Sequence, residues 1–272
     1  MDYINAESFV LPSLGKVYST PINPNVKLRS MTTSDELKRL SPSEHQYQNI
    51  CEIIDDCMVD KCEISSYDMC LADYQFLLHK LRIVTYGTEY KAMTKCPYCG
   101  TTNERTIDLD KLEVIQYSKD FDKYYSFELP KTKKKIRLRI QTPRMIDIAN
   151  QEWKEIKQKY PDTKDESFII SMASMIESID GKNVDVLKRR DWLRTLPMMD
   201  TNYIVQYAGK LNDTLGIVSE MNTTCSYCGF RLSYLIFVIC VQISRQFTRI
   251  DPAYSNVREK LSIELLGVRK GI

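Results

Sequence analysis

Four cysteines carry the clearest chemical signal in this 272-residue sequence, because they lie in two copies of the frame Cys-x-Tyr-Cys-Gly, 129 positions apart. In each copy a glycine follows the second cysteine and can turn the chain tightly, as in a zinc knuckle. Thiolates are preferred ligands of Zn²⁺, and one knuckle supplies only two of the four ligands of a closed structural site. The repeat therefore predicts one Zn²⁺ bound by Cys96, Cys99, Cys225 and Cys228.

The long separation of the two knuckles does not exclude a shared metal. Between Cys99 and Cys225 there are 125 residues, whereas a compact ribbon usually has about 15–20. Loop closure costs about (3/2)RT ln n, so a loop of about 128 residues costs roughly 2 kcal/mol more than one of about 16. Zinc binding contributes an apparent ~10–16 kcal/mol. The alternative is that each pair is an independent redox dithiol or a pair of buried thiols; the repeated glycine favours the shared site.

Other residues that could do chemistry give weaker signals. A further group of cysteines has spacings of 6, 5 and 8 residues, none of which is a knuckle spacing: Cys51, Cys57, Cys62 and Cys70. Two of these lie in helical patterns, where cysteine behaves as a small buried hydrophobe. His45 and His79 are the only histidines, and we expect surface or hydrogen-bonded side chains at both.

Several features indicate that the protein is not an enzyme. The sequence has no phosphate loop, no dinucleotide-binding glycine pattern and no nucleophile motif. Four thiolates fill the coordination sphere of zinc, whereas a catalytic zinc keeps one position open for water. We therefore predict a structural metal and no small-molecule substrate.

Composition limits the class of protein further. The chain is 43% hydrophobic and 27% charged, with a net charge of +2, which is typical of a globular protein with no global attraction to nucleic acid or to anionic membranes. Nine cysteines, and no apolar leader in MDYINAESFV, indicate a reducing compartment and a protein that is not secreted. The longest apolar run, Leu235 to Val241, is too short to span a bilayer. We expect protein partners and no membrane contact.

The hydrophobic patterns predict an α+β fold, in which a zinc-ribbon-like pair of knuckles with short antiparallel strands carries a mainly helical insertion. A strong helix pattern ends at Gly87, and Thr142-Pro143 opens another that runs to about Tyr160. Further helices are predicted near 165–179, 184–195, 199–212 and 254–267. The predicted segments are an extended N-terminal arm (1–30), a helical segment (31–95), the first knuckle with strands (96–141), the helical insertion (142–213) and the second knuckle with a strand and a C-terminal helix (214–272).

The proline-rich arm has two interpretations. It contains few apolar residues for its length, so we expect it to add little to the core, while its β-prone pieces flank the turn Pro12-Ser13-Leu14-Gly15. Such an arm could add a strand to the sheet of a neighbouring protein. Alternatively, residues 8–29 form an edge strand of the protein's own sheet.

A basic patch occupies the second strand of a hairpin predicted to turn at Pro130. Its members are Lys131, Lys133, Lys134, Lys135, Arg137 and Arg139. If residues 131–140 form one strand, four of these cations align on one face and could contact phosphates or an acidic protein surface. The favoured alternative is a solvated edge strand protected by lysines. The patch is the basis of a competing function, a zinc-ribbon nucleic-acid-binding accessory factor in transcription or replication.

Several motifs together resemble the T-even-type tailed-phage baseplate protein family. They are LPSLGKVY (Leu11–Tyr18), LRSMTTSDELKRL (Leu28–Leu40), FLLHKLRIVTYGTEY (Phe76–Tyr90) leading into KCPYCG, and CSYCG (Cys225–Gly229). The resemblance implies a non-enzymatic component of the contractile-tail baseplate hub, or a factor needed to assemble it. It also implies other hub or tail proteins as partners, and a location in the virion or in the host cytoplasm during assembly.

Overall fold

The computed structural model describes residues 5–218 and 220–235, which form seven helices and eleven short strands. The helices are α1 (Thr33–Leu40), α2 (Gln46–Cys57), α3 (Leu71–Tyr86), α4 (Pro143–Lys159), α5 (Ser167–Met175), α6 (Val186–Thr195) and α7 (Met198–Asp213). The strands are β1 (Ala6–Val10), β2 (Asn25–Arg29), β3 (Glu89–Lys95), β4 (Thr102–Asp108), β5 (Val114–Ile115), β6 (Ser126–Glu128), β7 (Lys135–Leu138), β8 (Ile176–Ile179), β9 (Gly216–Ile217), β10 (Glu220–Thr224) and β11 (Arg231–Leu235). All strand pairs are antiparallel. The predicted α+β class is confirmed, while the predicted helix at 254–267 lies outside the described residues.

The N-terminal segment is a hairpin packed on the chain's own core. Strands β1 and β2 pair from Ala6↔Arg29 to Val10↔Asn25. The structure therefore agrees with the second interpretation, in which this segment pairs within the protein's own sheet. Leu11 and Leu28 are completely buried. The expectation that this segment adds little to the core is therefore wrong, because Leu11, Ile22, Val26 and Leu28 are buried in one cluster with side chains of α2 and α3.

A buried carboxylate holds the turn between β1 and β2. Asp73, in the first turn of α3, accepts hydrogen bonds from the backbone N–H of Ser13 (3.0 Å), the hydroxyl of Ser13 (2.5 Å) and the hydroxyl of Tyr18 (2.5 Å). Gly15 adopts a φ of +69°, and a Cβ at this position would lie 2.1 Å from the carbonyl oxygen of Ile22. The motif LPSLGKVY therefore forms a turn that is held by hydrogen bonds to the side chain of Asp73 in α3.

Gly87 ends α3, as the sequence predicts, and the side chain of Asp147 in α4 caps the N-terminus of α2. Gly87 follows α3 with a φ of +85° and donates its N–H to Ile83. At the start of α2, Asp147 of α4 accepts hydrogen bonds from the N–H groups of Tyr47 (3.0 Å) and Gln48 (3.1 Å). A carboxylate at this position satisfies free donors and interacts favourably with the helix dipole.

The predicted helix near 165–179 is wrong at its C-terminal end. Helix α5 stops at Met175, and Ile176–Ile179 form β8, which pairs with β7. Asp180 and Gly181 both adopt positive φ and turn the chain sharply after β8. The two isoleucines are buried in the sheet, so pairing with a distant strand overrides the local helical pattern. The insertion between the knuckles is otherwise mainly helical, with α4 to α7.

The basic patch is a hairpin, but its strand is shorter than predicted. Lys133 lies in the turn with a φ of +57°, and β7 begins only at Lys135. Strand β7 is the central strand of the sheet β6–β7–β8. The structure therefore contradicts both predictions for the patch, because the four cations do not form one aligned row and their strand is not at the edge of its sheet. Two of the cations are paired with carboxylates, Lys134 with Asp180 (2.6 Å) and Arg137 with Glu177 (2.7 Å).

A short strand pair brings the chain back from the insertion to the site. Strand β9 pairs with β5 through Val114↔Ile217 and Ile115↔Gly216. Gly216 has a φ of +101°, and a Cβ at this position would lie 3.0 Å from the Cβ of Ala72 on α3. The close approach of β9 to α3 places β10, three residues after β9, near the first knuckle.

Candidate metal centre

The two Cys-x-Tyr-Cys-Gly segments form the tips of two equivalent hairpins. The first hairpin is β3–β4, whose last strand pair before the loop is Lys95↔Thr102. The second hairpin is β10–β11, and its corresponding pair is Thr224↔Arg231. Each pair encloses six residues, 96–101 and 225–230. The sequence repeat is therefore also a structural repeat.

Each loop is closed by the same two backbone hydrogen bonds. In the first hairpin, Cys96 donates its N–H to Thr101 (2.9 Å) and accepts from Gly100 (2.9 Å). In the second, Cys225 donates to Phe230 (2.8 Å) and accepts from Gly229 (3.0 Å). The glycines have φ values of +74° and +71°, a region that L-residues with a Cβ rarely adopt. Glycine after the second cysteine is thus required by the turn.

The structure brings all four predicted cysteines together. Their Sγ atoms all lie within 4.8 Å of one another. Across the two hairpins, Cys96 Sγ lies 3.8 Å from Cys228 Sγ, and Cys99 Sγ lies 3.6 Å from Cys225 Sγ. A tetrahedral zinc site with Zn–S bonds of about 2.3 Å has sulfurs about 3.8 Å apart. The donor set and its spacing therefore fit one Zn²⁺.

The surroundings of Cys225 and Cys99 favour thiolates, whereas desolvation and the neighbouring thiols raise the pKa of Cys228 to about 12. Backbone N–H groups of Cys228 and Tyr227 lower the pKa of Cys225 to about 6. The hydroxyl of Thr101 lies 3.3 Å from Cys99 Sγ and lowers the pKa of that thiol. Hydrogen bonds to the charged form stabilise it, and a metal binds the thiolate. Cys96 and Cys225 are buried, whereas Cys228 is exposed.

Asn103, which the sequence analysis did not single out, links the two hairpins. Its side chain is 3% exposed. Its Oδ1 accepts hydrogen bonds from the N–H and the hydroxyl of Ser226, both at 2.8 Å. Its Nδ2 donates to the carbonyl of Thr101 (3.1 Å) and lies 3.6 Å from Cys225 Sγ. The corresponding position of the second hairpin is Leu232, so the sequence repeat gives no signal for this residue.

Two further contacts join the hairpins. Arg105 donates from Nη2 to the carbonyl of Thr224 at 2.5 Å. The rings of Tyr98 and Phe230 stack with centroids 5.7 Å apart and planes 4° apart.

The other candidate residues lie away from this centre. Cys51, Cys57 and Cys70 are buried, and burial raises the pKa of Cys51 and of Cys57 to about 12. These three cysteines and Cys62 form no metal-binding cluster in the part of the chain that the structure describes. His79 is buried with Nε2 3.0 Å from the carbonyl oxygen of Leu109, and burial lowers its pKa. Its prediction as a hydrogen-bonded histidine is confirmed.

Comparison with protein-family models gives a match over most of the chain. A family model described as T4 bacteriophage base plate protein matches residues 5–239. A search of curated proteins and a search of solved structures found no match. Among the described helices, none has the length and apolar character needed to cross a membrane.

Proposed function

We propose that this chain, which belongs to the T4 bacteriophage base plate protein family, is a non-enzymatic structural or assembly component of the baseplate hub and contains one structural Zn²⁺. Family membership implies a location in the virion tail and partners among other baseplate or tail proteins. The hub as the location, the zinc and the absence of catalysis are our proposals. The division into five segments also remains a prediction.

The observation that carries the structural zinc is the convergence of four Sγ atoms within 4.8 Å. Four thiolates complete a tetrahedral coordination sphere and leave no position for an activated water. The metal would therefore join the two hairpins and take no part in a reaction. Two ligands precede the helical insertion in the sequence and two follow it, so one ion would connect residues 96–99 to residues 225–228.

The zinc proposal is tested by elemental analysis of the purified protein. We expect one zinc per chain in the wild type and a loss of zinc in the double variant Cys225→Ser/Cys228→Ser. Cys62→Ser is the matched control and should keep the metal, because Cys62 lies outside the centre. Zinc should also dissociate as the pH falls, since protons compete for the sulfurs. A wild type without metal, or a double variant that keeps it, would contradict the proposal.

The assignment to the baseplate hub needs a separate experiment. Mass spectrometry of purified particles, and of tail intermediates from infected cells, should find the chain in hub-containing material. Presence in mature particles indicates a structural component, and presence in intermediates alone indicates an assembly factor. Absence from both would contradict the proposed function.

In residues 5–218 and 220–235, which the structure describes, no observation favours the nucleic-acid-binding alternative. The basic patch does not form one aligned row, and two of its cations contact carboxylates.

A further inference from the structure

The strand β1 has one open edge. Two hydrogen bonds flank its pairing with β2, from Ser30 N–H to Asn5 (2.9 Å) and from Leu11 N–H to Pro24 (2.8 Å). The register between them is continuous. Backbone groups of an antiparallel strand alternate between its two neighbours, so the odd-numbered residues bond to β2. The N–H and C=O groups of Ala6, Ser8 and Val10 therefore point away from β2.

No backbone group among the described residues pairs with this edge. Within the described part of the chain, this sheet consists of β1 and β2. The far side of β2 is covered, because Leu28 forms a bridge with Met58 and Val59 donates its N–H to Lys27 (2.8 Å). Only the outer side of β1 is left for another strand.

The exposed edge has little of the usual protection against pairing. Edge strands are commonly blocked by proline, by charged side chains, above all lysine, or by a bulge. The sequence of β1, AESFV, has neither proline nor lysine, its one charge is Glu7, and its register contains no bulge. In a protein that assembles with others, a weakly protected edge is a site for strand addition.

We propose that an extended segment of another tail protein adds to β1 as a third strand of this sheet. This partner rests on the proposed function. The outward N–H and C=O groups of three residues can all form hydrogen bonds with an extended backbone of about five residues. The edge therefore selects an extended segment rather than a helix or a folded surface.

The side chains around β1 indicate the chemistry of the added strand. On the face toward α3, Phe9 packs edge-to-face on Phe76 with ring centroids 6.4 Å apart. The ammonium of Lys80 lies 5.4 Å from the centroid of Phe9. An apolar side chain of the incoming strand would pack beside Phe9 and the stem of Lys80. On the other face, Val10 is 43% exposed and offers a second apolar contact.

A second copy of this chain fits the edge less well. A symmetric antiparallel pair with the fullest overlap places Ser8 opposite Ser8 and Glu7 opposite Phe9 of the other copy. This arrangement would bring the Glu7 carboxylate against an aromatic ring, with an unfavourable loss of hydration. We therefore assign the edge to a different protein.

Proline substitutions distinguish the open edge from the paired edge. Ser8→Pro removes an outward N–H and leaves the ladder to β2 intact, and proline is tolerated at edge strands. Phe9→Pro removes an N–H that bonds to β2 and should damage the hairpin itself. Ser8→Ala is the matched control, and Val10→Lys is a second variant that protects the edge without changing the backbone.

The measurement is the amount of full-length chain that co-sediments with tail intermediates from infected cells. We expect Ser8→Pro and Val10→Lys to keep the wild-type melting temperature and to lose at least about tenfold in co-sedimentation, because Ser8→Pro removes an interchain hydrogen bond and Val10→Lys places a charge at the edge. Ser8→Ala should behave as the wild type. In the assembled complex, the amides of Ala6, Ser8 and Val10 should gain protection from hydrogen exchange.

The outcomes separate this inference from the proposed function. If the wild type and both edge variants assemble equally, strand addition at β1 is overturned and the proposed function stands. If Ser8→Pro does not fold, Val10→Lys decides the question alone. If the wild type is absent from every tail intermediate, the proposed function and this partner both fail. A purified wild type that dimerises through an edge blocked by Ser8→Pro would overturn the partner, because the occupant would be a second copy.

Discussion

Removal of the metal should release the second hairpin and leave the rest of the protein folded. Besides the sulfurs, three hydrogen bonds and one ring stack join this hairpin to the first. At about 1 kcal/mol each, these contacts contribute about 4 kcal/mol. The tether of about eight residues from β9 to Cys225 costs roughly 2 kcal/mol to close. Docking of the hairpin without metal is then worth only about 2 kcal/mol.

Zinc changes this balance by a large margin. Its apparent binding free energy of ~10–16 kcal/mol acts on the docking of the hairpin, since two of the four ligands come from each hairpin. We expect chelation to accelerate amide hydrogen exchange in residues 222–235 by at least about 100-fold, which corresponds to about 2.7 kcal/mol.

Hydrogen exchange followed by mass spectrometry, with and without a chelator, measures this effect. Residues 143–213 should exchange at the same rate in both samples, because their buried side chains pack on the sheet β6–β7–β8 and not on the sulfurs. Equal exchange of residues 222–235 in both samples would refute the reasoning. Opening of residues 143–213 on chelation would also refute it, since the metal would then hold the whole insertion.

Two further predictions concern the turn between β1 and β2. Gly15→Ala should destabilise the protein by at least about 2 kcal/mol, because a Cβ meets a backbone carbonyl at a positive φ; Gly209→Ala, in α7 with open space around it, should stabilise by about 0.5–1 kcal/mol. Equal urea midpoints for both glycine variants would contradict this account. Tyr18→Phe removes the hydrogen bond to buried Asp73 and should cost about 1–3 kcal/mol, whereas Tyr227→Phe, at a side chain 80% exposed, should change stability by less than about 0.5 kcal/mol. A thermal melt of Tyr18→Phe that matches the wild type would show that the network does not hold the turn.

Local sequence signals predicted the elements that depend on neighbouring residues. Thr142 caps α4 by accepting a hydrogen bond from the N–H of Met145 (3.3 Å), with Pro143 as the first helical residue. Gly87 ends α3. The repeat of Cys-x-Tyr-Cys-Gly identified four residues that the fold brings together. In each case the physical cause lies within a few positions of the chain, and a single sequence contains it.

Features that depend on distant residues could not be predicted in this way. Strand β8 has a helical pattern and becomes a strand only because β7 lies beside it. Asp73 looks like an acidic residue in the first turn of a helix, yet its partners Ser13 and Tyr18 are more than fifty positions away. Asn103 has no counterpart in the second hairpin. Its role is set by Ser226, which only the folded chain places beside it.

The fold also explains how two knuckles separated by 125 residues could share one ion. The pairing of β5 with β9 through Val114↔Ile217 closes most of that loop before the sulfurs meet. The remaining path from Cys99 to Val114 and from Ile217 to Cys225 is about 23 residues, close to the ~15–20 of a compact ribbon. Relative to an unstructured loop of about 128 residues, this shorter path lowers the closure cost by about 1.5 kcal/mol. The folded insertion thus aligns the two hairpins, and the metal would have to hold only the last step.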